Sequence, residues 1–245
     1  MKVLKYLAIT FAVLIAVVFS TCSIMSKDLP TGIESPRTEE MVSDMWEGLN
    51  KAAWDTTTYV RWSFAGVHHY LWDKKDNLAQ ISWKKNRVLL DPDQVDGLAF
   101  VDGVEQEGKK KQKLIQDAWS FWCNDMYWFT APFKVKDSGT TLSMVEHEDH
   151  DRLKVSYTSG GVTPGDSYVW IFDEDGIPTG CEMYVQILPI KMVYTPWKNW
   201  TTISTGAKLC GEHKMMGIGL TLGNIAGGMM LEDVGLETDV WAAIR

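Results

Sequence analysis

Cysteine is scarce in this chain: there are four in 245 residues, none in CxxC spacing, and Cys210 with His213 makes the one CxxH pair. Zinc sites of the finger or ribbon type need two such pairs, so they have no support. An excess of positive charge is also missing. Lys and Arg number 24 against 32 Asp and Glu, a formal net charge of −8. Nucleic-acid binding needs a basic face that displaces counterions, so this balance argues against such a partner. Gly217-Ile218-Gly219 and Gly223 do not form GxGxxG after a strand, which leaves no nucleotide loop. Gly165-Asp166-Ser167 lacks the Gly-x-Ser-x-Gly elbow and precedes a strand, so it reads as a turn. Asp173-Glu174-Asp175-Gly176 is too short for an EF-hand loop and has no Glu at the twelfth position.

What is present begins with a leader. Lys2 and Lys5 precede an uncharged apolar run from Tyr6 to Phe19, which matches a signal-peptide h-region and is short for a membrane span of ~20 residues. Three modes stay open. Cleavage after Ser20 has small residues around it. Lipidation of Cys22 would follow Phe19-Ser20-Thr21, a lipobox with Thr where Gly, Ala or Ser is usual. An uncleaved anchor would extend the run to Met25. Each predicts export, to the periplasm or outer membrane. Residues 1–23 are read as the leader, 24–36 as a polar linker, and 37–245 as one domain large enough for a real core.

Trp is abundant, with 12 residues, all beyond the leader. This density implies an aromatic core or an aromatic-lined cavity. Thr38 to Ala53 reads as a helix, with Met41, Met45, Trp46 and Leu49 on one stripe. Short strands follow at Tyr59–Phe64, Val67–Trp72, Leu78–Trp83 and Arg87–Leu90, separated by tight turns, which predicts an antiparallel meander. A second helix carries Ile115, Trp119, Trp122, Met126 and Phe129 at steps of three and four and ends at Pro132. Six or so further strands close the chain, with a weakly patterned, glycine-rich tail from Gly217 that reads as a final strand and a loose end. Ser167–Phe172 is apolar on both faces and so reads as a central strand. The fold class is α+β: a curled antiparallel sheet, an incomplete barrel, with helices covering its concave side.

The order of elements, together with Trp128 to Val135, Asp137-Ser138-Gly139 and Thr163 to Tyr168, resembles the Lol superfamily of periplasmic lipoprotein carriers and receptors, in an uncharacterised exported branch. The resemblance runs from about Val42 to His213. It implies a helix-lidded half-barrel with an apolar cavity able to take acyl chains. On that reading the protein binds a lipid or another hydrophobic ligand beside a membrane surface, without catalysis or cofactor. The expected cavity wall is Trp62, Trp119, Trp122, Met126, Trp170 and Met183.

Two other readings stand beside it. His147 and His150, interleaved with Glu146, Glu148, Asp149 and Asp151, have the residue types of a divalent-metal hydrolase site. They fall between two strands, where a solvated hairpin tip is the plainer reading. Alternatively the aromatics are all core, and the chain is a structural surface lipoprotein without ligand. His68 and His69 lie in a strand and point to opposite faces, so they cannot share a site. Arg61 is expected outward. Lys109 to Lys113 open a helix at the unfavourable end for cations; they read as solvated, with anionic headgroups as a second possibility. Cys123 reads as a buried free thiol; for Cys181 and Cys210 the disulfide state stays open, a bridge between strands being the lesser of two readings.

Overall fold

A computed structural model describes residues 27–159, 165–186 and 190–245. The leader with Cys22, the segment Thr163-Pro164 and the expected strand end at Ile187 and Leu188 lie outside the described residues.

Among the described residues there are three α-helices, two short 3-10 helices and thirteen strands. Helix α1, Arg37–Gly48, is followed by the short α2, Lys51–Thr56. Six strands come next: β1 Tyr59–Phe64, β2 His68–Asp73, β3 Leu78–Trp83, β4 Asn86–Asp91, β5 Asp96–Val101 and β6 Val104–Glu105. Helix α3, Gly108–Thr130, leads into the second run. That run is β7 Thr140–Val145, β8 Arg152–Tyr157, β9 Ser167–Phe172, β10 Pro178–Tyr184, β11 Val193–Thr202, β12 Lys208–Met215 and β13 Ile218–Gly228. All thirteen form one antiparallel sheet in the order β6-β5-β4-β3-β2-β1-β13-β12-β11-β10-β9-β8-β7.

That order explains the architecture. Two meanders are welded where β1 pairs with β13, with Tyr59 opposite Gly228 and Phe64 opposite Leu222. The outer edges are then β6 and β7, which are the strands that α3 connects. The helix therefore crosses the mouth of an open, curled sheet, and its 23 residues span about 35 Å. This is the incomplete barrel with a helical cover that the sequence predicts. Edge β7 is partly capped by Ile33, which exchanges backbone hydrogen bonds of 2.8 and 2.9 Å with Met144. Among the described residues no helix is long and apolar enough to cross a membrane.

Two expectations need correction and one open point is settled. The helix expected over Thr38–Ala53 is broken at Leu49-Asn50. Asn50 takes a left-handed conformation (φ 55°) and its side chain caps α2 by accepting from the Ala53 N–H at 3.3 Å. Strands β5 and β6 were not expected, while the final strand read in the glycine-rich tail is the long β13. At Gly227 and Gly228 the strand is closely approached: a Cβ on Gly227 would lie 2.8 Å from Ile203 Cδ1. Finally, Cys181 and Cys210 remain free thiols. They sit on β10 and β12 with β11 between them, so their backbones are separated by two strand spacings, roughly 10 Å. A disulfide requires about 4.4–6.8 Å between Cα atoms.

The core lies between the concave face and the helices. Val60, Trp62, Tyr70, Ile81, Leu90 and Trp170 are buried from the sheet side. From α1 come Met41, Met45 and Leu49, and from α3 Ile115, Ala118, Trp122 and Phe129. Arg61 points outward as expected. Its guanidinium donates to the Val234 carbonyl at 2.9 Å and tethers the C-terminal segment to the convex side.

Candidate functional site

The helix and sheet meet through stacked rings. Trp62 on β1 lies between Tyr70 of β2, at 4.6 Å between ring centres, and Phe129 of α3, at 4.7 Å, both nearly parallel to it. Trp122 approaches Trp62 at 5.8 Å and meets Trp72 edge-on at 5.2 Å. Trp54 of α2 stacks on Phe133 at 4.8 Å and closes the lower end of the array. Offset and edge-to-face pairs of this kind add to the hydrophobic term without interlocking branched side chains. The indole N–H of Trp62 has no partner among the described residues. Lys74 seals the same end: its ammonium lies 3.8 Å over the Trp54 ring and donates to the carbonyls of Trp54 and Thr57. Burial pushes that ammonium down to about 8.

At the other end of the stack sits a charge. Asp125 falls on the apolar stripe of α3 and is 1% exposed. One carboxylate oxygen accepts from the Tyr70 hydroxyl at 2.6 Å and faces His68 Nδ1 at 2.6 Å. The other accepts from Asn124 Nδ2 at 2.8 Å. A carboxylate only accepts, so the proton of the histidine contact sits on Nδ1. His68 Nε2 is left without a partner among the described residues. The imidazole is partly exposed and lies against Phe121, 4.1 Å between ring centres. Burial, reinforced by the charge of Asp125, pushes the Tyr70 hydroxyl far above its ordinary range, so it stays a donor. A buried carboxylate thus orients a partly exposed imidazole at the end of an aromatic stack.

A second aromatic nest lies under β9–β12. Trp170 and Trp197 meet at 4.8 Å, His213 lies 4.4 Å from Trp197, and Trp128 of α3 reaches His213 at 5.2 Å. The Trp170 indole N–H also lacks a partner among the described residues. Burial raises both Cys181 and Cys210 to about 12, so they are inert thiols here. Burial lowers His213 to about 4. The unfolded chain takes up this proton near pH 6.5 while the folded chain refuses it until about 4. Stability contributed at this position is therefore complete above 6.5 and is lost as pH falls toward 4. Urea titrations should show up to about 3 kcal/mol of acid-side loss that His213→Phe removes. Equal pH slopes for the two proteins would contradict that assignment.

The six expected wall residues separate into two groups. Trp62 and Trp122 share the first stack, and Trp119 and Met126 are half-buried on the same helix. Trp170 and Met183 belong to the second nest, where Met183 Sδ accepts from Thr195 Oγ1 at 3.2 Å. Tyr70, Asp125 and His68 were not among the expected residues. Asp125 was legible as the single acid on the stripe Ala118, Trp122, Phe129. His68 does turn inward and His69 outward, as strand alternation requires.

The histidine-rich tip is placed elsewhere. His147 and His150 line a surface cleft of about 410 Å³ with Arg37, Met41, Asp44 and Asp173. Among the described residues no group of three or more His, Cys, Asp or Glu is arranged to hold a metal ion. His147 instead accepts from Arg152, 2.8 Å away, and Arg152 also pairs with Glu182 at 2.9 Å. Of the lysines that open α3, Lys111 borders a second cleft, of about 310 Å³, with Val95 and Asp96.

No family model and no curated protein matches the sequence. Among solved structures, the crystal structure of a DUF1329 family protein from Desulfovibrio piger is similar at a TM-score of 0.43 and 11% identity, over 85% of this chain and 99% of that one.

Proposed function

We propose that this is an exported, membrane-side binding protein that holds a hydrophobic ligand of acyl-chain type between α3 and the concave face of the sheet, without catalysis. One observation carries the reading. The cover and the sheet are joined by flat rings around Trp62, and among the described residues Asp125 supplies the only side-chain hydrogen bonds from α3 to β1 or β2, both of them to β2. Stacked rings carry no hydrogen bonds of their own, so an apolar chain entering between them replaces ring–ring contact with ring–chain contact and leaves no polar group unpaired there. An acyl chain entering there contributes about 0.8 kcal/mol per buried CH₂, against the cost of association and ordering. His68 Nε2 at the end of the stack offers a hydrogen bond to a polar head.

The Lol-type resemblance agrees with this reading, as does the leader sequence, which would bring the domain to a membrane. Native mass spectrometry of the full chain from a membrane-containing host is the test. A co-purifying species of lipid mass is expected, released when organic solvent opens the fold. A bare polypeptide mass after purification without detergent would defeat the proposal.

The alternative is a structural surface lipoprotein. It is favoured by the same rings, because Trp62, Trp122 and Phe129 already fill one another's contacts. The two readings part on ligand uptake alone.

A further inference from the structure

Three exposed apolar residues gather on one rim of the sheet. Val67 is 56% exposed in the β1–β2 turn, and Met216 (59%) and Ile218 (73%) lie at the β12–β13 turn. These turns are neighbours because β1 pairs with β13, and the Ala65 N–H donates to the Thr221 carbonyl at 2.9 Å. Met216 and Gly217 both have positive φ, 50° and 87°. Asn or Asp usually takes the first place of such a turn, as Asp102 does before Gly103 in the β5–β6 turn. A large apolar side chain is thus held out into solvent at a position that disfavours it.

Charge is polarised along the strands. Alternating turns place Lys84 and Lys85, between β3 and β4, on the same rim, with Lys214 near the end of β12. Asp102 offsets Lys85 there at 3.1 Å. The opposite rim carries the acidic turns Glu146–Asp151 and Asp173–Asp175. Met229 and Met230 are exposed at that end too, but the Asp233 carboxylate accepts from the Met230 N–H. The chain outside the structure also ends at the first rim. Asp28 pairs at 2.6 Å with Lys191, in the β10–β11 connection. From there to the apolar run ending at Phe19 is about 30 Å of extended chain.

We infer that this rim docks on an anionic lipid bilayer, with Val67, Met216 and Ile218 entering the interface and Lys84, Lys85 and Lys214 meeting lipid phosphates. The inference deepens the binding reading, because His68 directly follows Val67 and docking would set that end of the ring stack against its lipid source.

The test is hydrogen exchange of the full chain on vesicles of phosphatidylcholine with a minority of phosphatidylglycerol. Amides of 64–68 and 214–220 should slow about tenfold relative to phosphatidylcholine alone, and those of 146–151 should not change. A Val67→Glu/Ile218→Glu variant, and separately a Lys84→Glu/Lys85→Glu variant, should lose that slowing. Unchanged exchange at both turns, or slowing at 146–151 instead, overturns the docking. Native mass spectrometry of the same variants separates the two proposals. Lipid retained by variants that no longer dock upholds the distinction between them, whereas lipid missing from the parent chain that still docks counts against the binding reading alone.

Discussion

Replacing Trp62 with alanine is expected to lower the unfolding free energy by about 3–5 kcal/mol, the range for deleting a large buried aromatic. The residue is 1% exposed and contacts rings from β2 and α3 at once. Its loss leaves a cavity at the seam between cover and sheet that the flanking rings of Tyr70 and Phe129 fill only in part. Urea denaturation of Trp62→Ala against the parent measures the effect. Trp62→Phe should recover more than half of it, since a second stacked ring refills most of the volume. A cost below about 1 kcal/mol for the alanine variant would mean that α3 is not seated on Trp62.

The second large effect belongs to Asp125. Alanine there strands the buried Tyr70 hydroxyl and the His68 Nδ1–H, each of which bonds a carboxylate at 2.6 Å. Losses of about 2–4 kcal/mol are expected, because stranded buried donors bear the full desolvation penalty. The informative variant removes all three groups: His68→Phe/Tyr70→Phe/Asp125→Leu. Replacing a complete buried polar set by apolar residues of similar size is often neutral for stability. If the set exists only to hold α3, the triple variant behaves as the parent in every respect. If it serves the ligand, the triple variant folds normally and binds an acyl amphiphile about tenfold more weakly, the value of one hydrogen bond to a polar head. Urea curves together with ligand titration on the same samples decide it.

The architecture was readable where local signals and global fold agree. Alternation in β1 to β4 and β7 to β12, the stripe on α3 and the DEDG turn all point the same way. The parts that escaped did so for physical reasons. Strand β13 was legible only as a weak pattern, because glycines such as Gly227, packed close against Tyr59 and Ile203, blur the alternation a strand normally shows. Strand β6 is two residues long. The break at Asn50 depends on a left-handed backbone that competes with strong helix formers on either side. In the candidate site, the rings were legible as a stripe, but their division into two nests was not, since it depends on which strands sit opposite each half of α3. Asp125 stood out by charge alone. Its partners lie on β2, more than fifty residues away in sequence, so no spacing rule joins them.

Titration of the purified, delipidated chain with a fatty acid brominated at mid-chain tests ligand binding most directly, because bromine quenches indole emission only at contact. Entry into the slot beside Trp62 and Trp122 should quench a saturable part of the emission at one ligand per chain, and Trp62→Phe should remove much of that part. Emission that declines only in proportion to added lipid, equally in parent and variant, would show that the rings are simply core.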